Sequence, residues 1–464
     1  MGLESLVGLR YKYQFQIAHA NRTRRRSNIV TEFVYNPSGR TNMEKSMPNN
    51  TAPRVTVIGG GMITKIQLLP TIYQMQREGV VGEIHINALN APPLAELQAD
   101  PTLAKAFPGQ SFTPHPDPAK VSAKDMFPDM YKDVLAAAPK GSIAVIAVPD
   151  QFHYSAVMAA LDNDLHVCVV KPLVLKYEQA EEIGHKAAAK GLVIGVDYHK
   201  RFDYRSLMAR KAYRAGRFGE FRLGEAHLIE CWYYRHSNFQ NWMTCENSDA
   251  FSYIGCHYVD LVSFITGLMP TAVSVYGMKD KYPNGKEGYL WTSGRIIWDN
   301  GACLNISNGL GYPDAAAGGN TQGMTLWCAG EKDGTLISHS DQYRGLKYSY
   351  TAASGDPGDT VYAEPNPDYF QMLDQGGVGL TPIGYGHRSV EYIIRACREA
   401  GQTADLTQRK AMLAKYDAEG IMATPFNSSF NELVMEAGRK SILAGGREVE
   451  IKYGKNAGVD FRAY

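Results

Sequence analysis

A short β-branched run, Arg54-Val55-Thr56-Val57-Ile58, leads into Gly59-Gly60-Gly61-Met62-Ile63-Thr64-Lys65, and an amphipathic stretch follows to about residue 77. Strand, glycine turn and helix in this order constrain the fold more than anything else in the chain. Gly59 permits the tight bend. Gly61 lets backbone N–H groups approach a pyrophosphate, and the helix N-terminus adds positive potential. Thr64 stands where a third glycine is usual. An ordinary strand-to-helix turn looks the same locally, so the context decides between the two, and here the turn opens a βαβ unit at the start of a domain.

That unit repeats. Residues 83–90 read as the next strand, 94–99 as a helix and 107–118 as a proline-rich loop. Residues 142–148 form a nearly all-apolar strand, as expected of a parallel strand covered on both faces, and Pro149 stops it. A helix over 154–161, a strand over 166–170, a helix over 177–190 and a strand over 192–197 complete the alternation. The fold class is therefore α/β plus α+β, with a doubly wound parallel Rossmann sheet over residues 51–200. Beyond it, polar–apolar alternations at 221–230, 272–278, 294–298, 302–307 and 324–329 predict a predominantly antiparallel sheet. With helices at 204–215, 254–266, 389–400 and 431–443, residues 201–464 form a second, α+β domain for substrate and oligomerisation. Residues 1–50 are polar and are expected to be a disordered extension, with Met43 an alternative start to Met1.

Composition narrows the function. A formal net charge of +1 over 464 residues gives no basic field for nucleic acid. No run of about 18 apolar residues is present, so no membrane partner is expected. The seven cysteines are scattered without a C-x-x-C pair, which suits a reducing cytoplasm. Arg22, Arg24, Arg25 and Arg26 precede Ile29-Val30, but Thr31-Glu32 interrupts before an apolar export segment forms. No clustered metal-ligand motif occurs, so no metal is expected. Asn90 follows the second strand at the place of the acidic residue that binds ribose hydroxyls. A neutral amide with no following arginine favours NAD without excluding NADP, and a plain turn residue is the alternative.

Four ordered motifs then identify a resemblance: Ala147-Val148-Pro149-Asp150-Gln151-Phe152-His153, His166-Val167-Cys168-Val169-Val170-Lys171-Pro172-Leu173, Val196-Asp197-Tyr198-His199-Lys200-Arg201-Phe202, and Gly255-Cys256-His257-Tyr258-Val259-Asp260-Leu261. Together they resemble the glucose–fructose oxidoreductase / inositol dehydrogenase family (Gfo/Idh/MocA), well over residues 54–310 and loosely near Gly384–His387 and 432–450. The resemblance implies a Rossmann domain followed by an open-faced sheet that makes homo-oligomeric contacts, with substrate between cofactor and sheet. It implies cofactor contacts at Gly59, Gly61, Met62, Ile63, Asn90, Pro149, His153, Lys171 and Tyr198.

By the same resemblance Lys171 is the lysine of an E-K-P motif, with Val170 in place of the usual glutamate. A desolvated ammonium there stabilises the negative charge that grows on an alcohol oxygen as hydride leaves carbon. His257 is the candidate general base, since imidazole exchanges protons near neutrality; Asp260 at i+3 is its possible partner. Many members carry aspartate four residues before this histidine, and here Tyr253 takes that place, on the same face of a regular helix. Tyr253 either bonds a substrate hydroxyl or simply packs. Trp232, in an aromatic cluster with Tyr233 and Tyr234, together with Tyr385 and His387, is a candidate sugar contact or core packing. The expected function is hydride transfer between a sugar, glycoside or polyol and nicotinamide. A glycoside-cleaving enzyme that uses NAD transiently, or a non-catalytic NAD-binding protein, is the alternative.

Overall fold

The aliphatic runs of the N-terminal half build one sheet, with every pair of neighbouring strands parallel. In the computed structural model its strands are β1 Val55–Ile58, β2 Ile84–Asn87, β3 Thr113–His115, β4 Ile143–Ile146, β5 His166–Val170 and β6 Ile194–Asp197. They lie in the order β3-β2-β1-β4-β5-β6, with the chain reversing direction of growth between β1 and β4. That order is the doubly wound one, and it opens a crevice beyond the carboxyl ends of β1 and β4. The structure describes residues 52–463 apart from 317, 331–332, 341–347, 352–359 and 364–366; the expected extension over 1–50, with Met43, lies outside the described residues.

β1 and β4 are buried along their whole length, which explains why both read as unbroken apolar runs. One correction concerns the proline-rich loop over 107–118, which carries the edge strand β3. Pro114 lies in the middle of it, and an edge strand tolerates the missing N–H because one side has no neighbour. Helices at Pro101–Ala106, Met130–Ala136 and Leu406–Glu419 were not expected from the apolar pattern.

The second sheet holds β7 Glu220–Cys231, β8 Pro270–Lys281, β9 Glu287–Trp298, β10 Cys303–Tyr312, β11 Thr321–Ala329 and β12 Gly334–Ser340. Two small hairpins follow, β13 Tyr348–Thr351 with β14 Thr360–Ala363 and β15 Gln371–Leu373 with β16 Thr381–Ile383, before β17 Val449–Lys452 and β18 Gly458–Phe461 complete the large sheet. Its order is β12-β11-β7-β10-β9-β8-β17-β18, antiparallel except where β7 and β10 run parallel. The expected α+β texture is thus borne out. The short strand expected over 294–298 starts much earlier, at Glu287, because Tyr289, Leu290 and Thr292 turn inward as well.

The helix Cys256–Thr266 is buried on all sides from Cys256 to Ile265, and Phe430–Leu443 packs against β8. The helix expected over 254–266 begins with a π-helical turn at Phe251–Gly255. A second π turn, Thr64–Leu68, follows the glycine turn. Such turns are rare and concentrate at functional sites, where one extra residue per turn re-aims side chains. Among the described residues no helix is long and apolar enough to cross a membrane.

Candidate functional site

The glycine turn sits at the carboxyl end of β1, where the Gly59 N–H donates to the Asn87 carbonyl at 2.8 Å. Gly59 has φ of +118°, and a Cβ there would lie 2.1 Å from the Ala147 carbonyl oxygen, so only glycine lets β1 and β4 close at this point. Gly61 differs: a Cβ on it would meet nothing within 4 Å. The first glycine serves the fold, and the open space at the third fits a pyrophosphate lying against backbone N–H groups. Thr64, in place of the usual glycine, is buried and donates from Oγ1 to the Gly59 carbonyl at 2.7 Å, closing the turn on itself. Met62 is exposed and Ile63 half-buried beside it, and Asn90 lies in the loop after β2, its amide 3.7 Å from Met126 Sδ. These residues can hold NAD along the crevice.

The opposite wall comes from the loop after β5. His153, wholly buried, has Nδ1 2.7 Å from the Pro172 carbonyl and Nε2 2.8 Å from the Val148 carbonyl. It therefore ties the segment carrying Lys171 to the segment after β4, next to Pro149, and acts by positioning. Lys171 Nζ donates to the Tyr253 carbonyl and stands 3.8 Å from the centre of the Tyr253 ring. Tyr253 is part of the π turn, so the regular one-turn relation to His257 expected of an α-helix does not apply. Its ring packs edge-on against Phe239 at 5.0 Å and Trp242 at 5.4 Å, and burial raises its phenol well above the ordinary value.

His257 is buried, and its Nδ1 has no hydrogen-bond partner among the described residues. Its pKa is pushed well below the ordinary imidazole value, first by burial and then by the charges of Lys171, His199 and Lys200. Asp260 is not its partner. That carboxylate accepts two bonds from Arg201, at 2.8 and 2.6 Å, and a third from Asn431 at 3.0 Å. The pair joins the turn after β6 to the helix that carries His257.

Two buried carboxyl groups lie within the electrostatic reach of Lys171. Asp150 and Glu230 both feel the charge of Lys171, and burial raises both above the ordinary carboxyl range. Asp150 accepts from Ser248 at 3.5 Å and Glu230 from Asn320 at 3.3 Å. Neither was legible locally, because Glu230 and Lys171 belong to strand ends far apart in sequence. The sequence reading also passed over His199, whose ring lies 4.9 Å from His257 and is stacked on Tyr385 at 5.5 Å.

The remaining expected residues are spread more widely. Tyr198 is buried against Cys256 and His257 with its hydroxyl unpartnered among the described residues, so it offers no open surface to a dinucleotide. Tyr385 is brought to the His199–His257 group, but His387 turns to Thr71 at 3.2 Å and Glu391 at 3.5 Å. Trp232 is 44% exposed, with the Arg235 guanidinium 4.0 Å above its ring.

Gly61→Val is expected to weaken NAD binding about tenfold or more, equivalent to about 1.4 kcal/mol or above, without changing thermal stability. Calorimetry with NAD checks it. Unchanged affinity in the folded variant would remove this turn from the cofactor site.

Comparison with known proteins agrees with this fold. The profile of an oxidoreductase family described as an NAD-binding Rossmann fold matches residues 53–198, and that of the GFO/IDH/MocA C-terminal domain matches residues 206–329. An uncharacterised oxidoreductase of Schizosaccharomyces pombe is 32% identical over 109 residues, 24% of this chain and 30% of that protein. D-glucoside 3-dehydrogenase of Escherichia coli is 27% identical over 143 residues, 30% of this chain and 39% of the enzyme. The matches thus span well under half the length of these relatives. The crystal structure of GenD2, from gentamicin A biosynthesis, in complex with NAD superposes with a TM-score of 0.57 at 15% identity, covering 88% of this chain and all of that one, which establishes the shared fold. With the glycine cradle, the doubly wound sheet and both family profiles in agreement, the chain belongs to the Gfo/Idh/MocA family of NAD-binding oxidoreductases.

Proposed function

We propose that this protein is an NAD-dependent dehydrogenase that oxidises a secondary alcohol of a sugar, glycoside or polyol, or reduces the matching ketone. The observation that carries the reading is the meeting of Lys171, Tyr253 and His257 at the carboxyl ends of the strands that bear the glycine turn. Bound NAD supplies the hydride acceptor. The protein's own residues handle charge and proton. Lys171 is held by the Tyr253 carbonyl and ring, and His153 fixes the backbone beside it, so its charge is preorganised toward an oxygen that becomes anionic. His257, kept neutral by burial and neighbouring cations, is in the form that accepts a proton. Similarity to a D-glucoside dehydrogenase supports a carbohydrate as the alcohol.

The reading is tested by loading the protein with NAD and offering a panel of hexoses, glycosides and inositols while following reduced nicotinamide. Reduction by at least one member supports it; none across the panel argues for a nucleotide-binding protein without this chemistry. With an active substrate in hand, His257→Ala is expected to lower kcat about 10²-fold and leave NAD affinity unchanged. An unaltered kcat would take His257 out of the proton path.

A further inference from the structure

A proton delivered to His257 is poorly held there. Burial disfavours the imidazolium, the charges of Lys171 and Lys200 oppose it, and Nδ1 has no acceptor among the described residues. Position 253, in the π turn that precedes this helix, is a tyrosine that supplies no carboxylate. The neighbouring ring has a carboxylate beside it. His199 Nδ1 lies 3.9 Å from Asp197 Oδ2, and its side chain is 15% exposed. Asp197 is itself fixed, accepting from Ser389 Oγ at 2.5 Å and from Gln67 Nε2 at 2.7 Å. Gln67 belongs to the π turn that follows the glycine turn, so the carboxylate is anchored to the cofactor side of the crevice.

We propose that His199, oriented by Asp197, is a second acid–base residue of this site and holds the proton released from the substrate hydroxyl. This rests on the dehydrogenase reading above. The logic is that of a carboxylate–imidazole pair, in which the acid fixes one ring nitrogen and leaves the other for chemistry. The 3.9 Å separation is loose, as such contacts commonly are before substrate closes the site. In the oxidising direction the carbinol C–H bond would break, its electron pair leaving as hydride that bound NAD would accept. The O–H bond also breaks, its electron pair completes the C=O bond, and the proton goes to Nε2 of His199, directly or through His257 and one water. The ring centres of His199 and His257 lie 4.9 Å apart. The groups facing His199 are Asp197 from β6, His257 from the buried helix, Tyr385 from the helix Tyr385–Gln402, and Tyr369 at 5.4 Å. Lys200 follows it in sequence, and its charge, after that of Lys171, acts on His257.

The test has a readout that needs no turnover. NMR of the histidine ring nitrogens in the NAD-saturated full chain, with His199→Gln assigning the resonance, should show the His199 proton on Nδ1, and Asp197→Asn should shift both of its ring nitrogens. The opposite tautomer, or no shift in Asp197→Asn, overturns the pairing. In turnover, His199→Gln should lower kcat about 10²-fold with little change in NAD affinity, and should displace the acidic limb of the kcat/KM profile. A wild-type kcat and profile in His199→Gln overturns this inference alone and leaves the dehydrogenase reading standing. A wild-type protein inert to the whole panel defeats that reading instead, and the tautomer still decides whether Asp197 and His199 form a pair.

Discussion

Lys171→Met is expected to lower kcat/KM about 10²–10³-fold, corresponding to about 2.7–4 kcal/mol of transition-state stabilisation, while the protein stays folded and NAD-loaded. The expectation follows from where the ammonium is held. Nζ rests against the Tyr253 carbonyl and ring, shielded from water on that side, so its attraction to a developing alkoxide is stronger than at a surface. Methionine keeps the length and apolar stem of the side chain and removes only the charge, which confines the effect to the chemical step. If Lys171 and His257 act on one oxygen, as proposed, the double variant with His257→Ala should lose much less than the sum of the two single losses. Steady-state kinetics with the active substrate provides the check, and a Lys171→Met enzyme within a few-fold of wild type would mean that the charge is not used.

Asp260→Ala has the largest expected effect on stability, about 3–5 kcal/mol, because it leaves the Arg201 guanidinium buried without its carboxylate. Both side chains are nearly inaccessible, 3% and 2% exposed, so water cannot replace the lost partner. Asn427 still accepts from Arg201 at 3.1 Å but carries no charge. The measurement is urea unfolding at two salt concentrations. A large drop in the midpoint, nearly independent of salt, is expected of a buried pair. A change below about 1 kcal/mol would show that Arg201 reaches solvent in the variant and that the pair does not hold the helix bearing His257 in place.

Where the sequence was legible, one local pattern decided the outcome. β5 and the helix Tyr177–Lys190 appear at their expected bounds because the apolar run over 167–170 and a glycine in the left-handed conformation, Gly191, mark them without help from the rest of the chain. The glycine turn was legible for the same reason. The π turns were not, since a short apolar helix has the same composition whether its bonds skip four residues or five. The polar surroundings of Lys171 were hidden for another reason: Asp150, Glu230 and Tyr253 come from three segments far apart in sequence. His199 was visible as a letter in a motif, but its meaning depends on Asp197 being locked by Gln67 and Ser389 from distant elements.

The central claim, hydride transfer between a carbohydrate carbinol and NAD at Lys171, is tested most directly by following the transferred hydrogen itself. The NAD-loaded protein is incubated with an active sugar or inositol deuterated at the reacting carbon, and the nucleotide is released and weighed by mass spectrometry. The account predicts one deuterium on the reduced nicotinamide, formed rapidly by the wild type and about 10²–10³-fold more slowly by Lys171→Met. Oxidised product accompanied by nucleotide that carries no deuterium, or label transferred equally fast without the lysine charge, would contradict it.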